Sequence, residues 1–136
     1  MNHQHGFSLV ESLVALAILA FGLIGVAAIQ LKALQSAHAG YQSALVNVAA
    51  IDAQERLWAA LADSNSCLDI SLGAVESAWK SHWFLNPDTA VLPQVNSALS
   101  GISNVGCHFT LRIYWSPSAD EEAVELVYEF RLPTGS

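Results

Sequence analysis

The sequence predicts an α+β protein: one long N-terminal helix, apolar in its first half and amphipathic in its second, packed on a small antiparallel sheet. Three observations carry that expectation. From Leu13 to Ile29 there is no charged or strongly polar residue. From Leu31 to Leu61 large apolar residues recur at helical spacing between polar ones. Towards the C-terminus two runs alternate apolar and polar residues with the period of a strand. With 136 residues the chain holds one domain at most beside its apolar segment. Roughly a hundred residues then remain for a modest core, of the size that often relies on a covalent staple.

The helix comes first. At helical rise Leu13 to Ile29 spans roughly 25 Å, and Phe7 to Val10 extend it to the ~30 Å of a bilayer core. A cleaved secretory signal does not fit, because Met1 to Gly6 offers His3 and His5 but no Lys or Arg, and the apolar run is too long. Glu11 lies inside the apolar block. A charge there costs on the order of 3 kcal/mol near the bilayer centre, so its default reading is functional, with a partner to be named. The plainer alternative places it at the lipid interface, favouring a helix N-terminus. Gly22 and Gly25 each cost a helix about 1 kcal/mol against alanine, and close packing is the usual reason for keeping them, although their spacing is not GxxxG.

The amphipathic half is read from Leu31, Leu34, Tyr41, Leu45, Val48, Ile51, Trp58 and Leu61. This stripe is expected to be core material facing the sheet. Gly40 is its one interior breaker, and Asp63-Ser64-Asn65-Ser66 ends it with turn formers.

Residues 67–106 are less regular. Ala74 to Leu85 reads as a short helix burying Val75, Trp79 and Trp83, broken by Asn86-Pro87-Asp88. Pro93 to Leu99 reads as a further helical turn ending at Gly101. Trp79, Trp83 and Phe84 are assigned to core packing in preference to an exposed binding patch. Strands are expected at 107–115 and 123–132, joined by a loop over 116–122, with a further strand available at 102–105 because two strands alone are marginal. Antiparallel pairing puts Arg112 and Arg131 on the polar face with Glu125 and Glu129.

Composition limits the function. The net charge is −7, from 12 acidic and 5 basic residues. The bases are scattered, so direct nucleic-acid binding is not expected. His38, His82 and His108 lack metal-ligand spacing from one another and from the cysteines. There is no phosphate-cradling glycine loop and no nucleophile elbow, and Asp120-Glu121-Glu122 reads as a solvated loop. No catalytic, cofactor or metal site is expected, and the chain is not read as an enzyme.

The stretch Gly6-Phe7-Ser8-Leu9-Val10-Glu11 resembles the class III signal of type IV pilins and pseudopilins. The resemblance implies cleavage by a prepilin peptidase between Gly6 and Phe7, N-methylation of Phe7, and a role for Glu11 as the assembly carboxylate. A glycine at the junction admits an extended backbone to a protease without a side-chain clash. In a filament Glu11 would meet the α-amino group of a neighbour's Phe7, a charge pair in low dielectric. Leaders of this family usually carry Lys or Arg, whereas only histidines stand here. The implied division is a leader at 1–6, a membrane or filament-core half of the stem at 7–30, its amphipathic half at 31–63, and a periplasmic globular part at 64–136 with a variable segment over 67–106.

The wider order is similar to that of PilV-type minor pilins, the type IV pilus modification proteins: a Gln-containing stem, a cysteine-bearing middle, a strand closing in Trp115, and a second ending Phe130-Arg131-Leu132-Pro133. That resemblance implies a minor pilin that primes pilus assembly near the filament tip. Its partners would be other minor pilins, the major pilin, the prepilin peptidase and the inner membrane. A minor pseudopilin of type II secretion and a bitopic membrane-anchored periplasmic binding protein are the alternatives. In an oxidising periplasm Cys67 and Cys107 are expected to pair, two free buried thiols being the alternative. Closing a loop of about forty residues is worth on the order of 4 kcal/mol by chain entropy.

Overall fold

The computed structural model describes residues 8–85, 91–92, 94–117 and 122–134. It divides into two compact units, Met1–Ala37 and His38–Ser136. Helix α1 runs over Leu9–Ala62, 54 residues. A 3₁₀ turn follows at Cys67–Asp69, then helix α2 at Leu72–Lys80 with a π turn over Ser81–Leu85. Strands β1 (Gly101–Val105), β2 (His108–Trp115) and β3 (Val124–Arg131) complete the chain. The result is the expected α+β arrangement, a long N-terminal helix with a small antiparallel sheet.

In the first unit every described side chain is exposed. In water such a surface would be untenable, because apolar area costs about 25 cal/mol per Å²; in hydrocarbon it is the natural one. The helix is long and apolar enough near the N-terminus to cross a membrane.

In the second unit the core gathers one face of α1, the inward face of the sheet, and the two buried tryptophans of the middle segment. The helical face is not the stripe of large residues read from the sequence. Gln42, Val46, Ala49, Ala50, Ala53 and Leu57 are buried, with Leu45 and Leu61 packed at the margin. Tyr41, Val48, Ile51 and Trp58 are exposed, as are Leu31 and Leu34 in the first unit. The physical reason is size. Three alanines at 49, 50 and 53 leave room beside the helix, and larger side chains of the same buried cluster fill it: Trp79, whose indole reaches the Ala49 carbonyl, and the sheet's Phe109, Leu111 and Ile113, each 0% exposed.

The middle segment is held to α1 by two indole donors. Trp79 Nε1 donates to the carbonyl of Ala49 at 2.9 Å, and Trp83 Nε1 donates to Asp52 Oδ2 at 2.8 Å. Trp79 also meets Phe84 edge-to-face at 4.8 Å, so these aromatic residues pack inward as expected. Val75 is only half-buried. The breaker Asn86-Pro87-Asp88 and Pro93 lie outside the described residues. The helical turn expected before Gly101 is present as a single turn over 96–100, closed by the Ser100 N–H donating to the Asn96 carbonyl at 3.0 Å. Val95 bridges to Trp115, Asn96 Oδ1 accepts from the backbone of Ala98 and Leu99, and Gly101 opens β1. Asn side chains favour such local turns over helix propagation.

The sheet order is β1-β2-β3, antiparallel throughout. The strand considered available at 102–105 is therefore β1, and the two longer strands fall within a residue of their expected limits. Cys107 sits in the turn before β2. Gly106, at φ 59°, is the first of the two residues between β1 and β2, the position where a type II′ hairpin turn requires positive φ. Phe109, Leu111, Ile113 and Trp115 point inward, while His108, Thr110, Arg112 and Tyr114 line the other face. Arg112 lies 3.9 Å from Glu125, and Tyr114 Oη donates to Glu125 at 2.7 Å. These exposed contacts contribute little to stability.

Candidate functional site

Glu11 stands in the first turn of α1, exposed, on the helix that begins with Ser12 N–H donating to the Ser8 carbonyl at 3.2 Å. A carboxylate at that position meets the positive end of the helix dipole, worth about 0.3–1 kcal/mol. Gly6 and Phe7, the expected cleavage and methylation residues, lie outside the described residues. Within the first unit nothing described approaches the Glu11 carboxylate: no hydrogen bond or ion pair to it occurs among the described residues.

The exposed side of α1 in the second unit has its own order. Tyr41, Ala44, Val48, Ile51, Glu55 and Trp58 alternate three- and four-residue steps, the spacing of a seam that faces another helix. Successive residues turn by about 100°, so this arc lies roughly opposite the buried arc centred on Val46, Ala49, Ala53 and Leu57. Tyr41 is 61% exposed, Ile51 52% and Trp58 41%. The amphipathic half therefore carries two apolar faces, one used by the sheet and one unused within the chain. Sequence reasoning merged them. The signal that separates them is residue size, small on the sheet side and large on the other.

Cys67 and Cys107 form a disulfide with Cα atoms 5.6 Å apart. It joins the turn after α1 to the β1–β2 hairpin. Ser66 caps that turn, its hydroxyl accepting from Leu68 N at 3.2 Å. The bridge thus ties both ends of the middle segment, whose interior is held by Trp79 and Trp83. Asp52 is the polar centre of this attachment. Burial pushes its carboxyl up, but the hydrogen bonds from Trp83 and Arg56, with the Arg56 charge, outweigh that and hold it below the ordinary 3.8. Arg56 Nε donates to the same Oδ2 at 2.7 Å. No cluster of three or more His, Cys, Asp or Glu able to hold a metal occurs among the described residues.

A long helix, apolar on every side at its start and seated further along on a three-stranded sheet, defines a membrane-compatible stem carrying a small α+β head. The N-terminus gives the class a chemical identity. A family profile for the prokaryotic N-terminal methylation motif matches residues 1–27, so the chain carries a type IV prepilin-like N-terminus, as found in proteins of the pilus and pseudopilus kind. No curated protein and no solved structure matches the chain.

Proposed function

We propose that the chain is a minor pilin, a structural subunit without catalytic activity that takes part in priming and assembling a type IV pilus. The observation that carries this reading is the union of a prepilin-like N-terminus with a helix whose large apolar side chains from Leu9 to Leu34, and Tyr41, Val48, Ile51 and Trp58 beyond them, are left uncovered by its own fold. Removal of residues 1–6 would free the α-amino group of Phe7. Glu11, one turn further on, would then pair with that amine on a neighbouring subunit and set its register, because an ionised carboxylate in hydrocarbon needs a counter-charge. The seam from Tyr41 to Trp58 would lie against a neighbouring stem, and the acidic head would be displayed to choose partners among the other minor pilins. Inner membrane insertion before assembly, a periplasmic head and a tip-proximal place in the filament belong to the same proposal.

Intact-mass and N-terminal analysis of the protein recovered from its host tests the processing step: a chain beginning with N-methylated Phe7 supports it, and retention of Met1 to Gly6 refutes it. Glu11→Ala should leave membrane insertion unchanged while reducing recovery of the protein in sheared filaments by at least about tenfold, the equivalent of 1.4 kcal/mol of lost pairing. Normal incorporation of that variant refutes the role given to the carboxylate.

A further inference from the structure

We infer that the outer edge of β3 is a docking site for one added β-strand from a partner protein. The added strand has apolar side chains at alternate positions and, between them, the charge order acid, base, neutral, base. This inference does not depend on the pilus reading; it rests on the sheet and on an N-terminal helix long and apolar enough to cross a membrane.

The register shows which backbone groups face outward. Leu132 N–H donates to the Cys107 carbonyl at 3.0 Å, one step beyond the His108–Arg131 pair. In an antiparallel ladder that step fixes the alternation, so the even-numbered residues of β3 turn their N–H and C=O towards β2. Glu125, Val127, Glu129 and Arg131 turn theirs to the opposite side. The other side of β2 agrees, because Tyr114 N donates to Ser100 Oγ and the Tyr114 carbonyl accepts from Asn96 N. The four outward residues of β3 have no backbone partner among the described residues.

Edges of this kind are ordinarily blunted by proline, a bulge, an inward charge, charged side chains along the edge or a covering element. The eight residues of β3 contain no proline, pair with β2 without interruption, and point no charge inward; the charges they carry, Glu125, Glu129 and Arg131, are of mixed sign and select a matched strand. By contrast β1, the other edge, is five residues long and carries α2 alongside: a Cβ at Gly101 would meet Glu76 Oε1 at 2.8 Å. Burial tells the same story. Phe109, Leu111 and Ile113 on β2 are 0% exposed, whereas Leu126, Tyr128 and Phe130 on β3 are only half-buried. Tyr128 Oη donates to Gln54 on α1. An added strand would set its inward side chains beside Leu126, Tyr128 and Phe130 and supply the ladder that β3 lacks.

Charge decides the occupant. The outward face of the edge reads Glu125, Val127, Glu129, Arg131. An antiparallel partner therefore matches it with an acid opposite Arg131 and bases opposite Glu129 and Glu125. A second copy is set aside by symmetry. Antiparallel pairing of two identical edges is two-fold and reverses the 38–62 helix of one copy relative to the other, whereas two anchored chains enter one membrane in the same sense.

The test uses the full chain, ¹⁵N-labelled in detergent micelles, and a synthetic peptide Glu-Val-Lys-Val-Thr-Val-Lys-Val, N-methylated along its far edge to prevent self-stacking. At a free concentration ten times its Kd, amide exchange at Glu125, Val127, Glu129 and Arg131 should slow by about tenfold. The charge-reversed peptide Lys-Val-Glu-Val-Thr-Val-Glu-Val should have little effect. Val127→Pro removes an outward N–H without touching the β2 ladder and should abolish protection, whereas Val127→Thr should retain it. Moving the peptide's N-methyl groups to the edge that faces β3 should abolish protection on the unmodified chain, whatever the fold of the proline variant. The inference is overturned if the four amides are unaffected by the matched peptide, if the charge-reversed peptide protects them equally, or if they are already protected in a homodimer without peptide.

Discussion

The face that α1 buries can be tested by two substitutions two residues apart, Ala53→Leu and Ile51→Ala. Counting large apolar residues makes Ile51 part of the core and Ala53 incidental; the fold reverses this. Ala53 is 0% exposed within the same buried cluster as Phe109, Leu111 and Ile113. A leucine there adds three carbon atoms at a position with no exposed surface, an overpacking that costs about 1–3 kcal/mol. Ile51 is 52% exposed on the opposite arc. A fully buried isoleucine would lose 2–5 kcal/mol on truncation to alanine, but most of that cost vanishes for a side chain already in solvent. The higher helix propensity of alanine returns roughly 0.4 kcal/mol, leaving a net change of about 0.5 kcal/mol or less. Thermal unfolding of the full chain in mild detergent, followed through the fluorescence of the buried Trp79, Trp83 and Trp115, reads both. At about 4–8 °C per kcal/mol for a domain of this size, Ala53→Leu should lower the thermal midpoint clearly and Ile51→Ala should barely move it. A larger loss for Ile51→Ala than for Ala53→Leu would refute the assignment of faces.

Two further outcomes follow from the attachment of the middle segment. Replacing Cys67 and Cys107 together by alanine should cost about 2–5 kcal/mol in the same unfolding assay, since the bridge spans a sequence separation of 40; an unchanged midpoint would remove its structural role. Asp52 should make stability fall in acid. Its carboxyl is held below the ordinary value in the fold, so its contribution is complete above the unfolded pKa and is lost as pH falls through the lowered folded one. Asp52→Asn should flatten that part of the pH profile, and Trp83→Phe should shift it upward by removing one of the two donors; an Asn variant with the parent's acid slope would show that another group is responsible.

Much of this molecule was legible in its sequence because the signals are local. The apolar run to Ile29, the turn formers at Asp63 to Ser66 and the period-two alternation of β2 and β3 each depend on residues close in the chain. The inward placement of Phe109, Leu111 and Ile113 followed from that alternation alone. The motif around Gly6 and Glu11 is likewise contiguous, which is why a profile covering residues 1–27 meets it at once. The turn before Gly101 was legible for the same reason, and it stays a single turn, capped by the Asn96 side chain, because Gly101 already opens β1.

What the sequence by itself determined is the list of elements, the apolar stem and the prepilin-like start. Tertiary structure decided which face each element spends inside the chain. On α1 the choice went to Ala49, Ala50 and Ala53, because filling the space between packed elements depends on the side-chain volumes of both partners, and that sum is not written on either element alone. The same decision left Tyr41, Ile51 and Trp58 uncovered and β3 with one bare edge. Those unspent surfaces, more than the core, are where the protein has room to meet others.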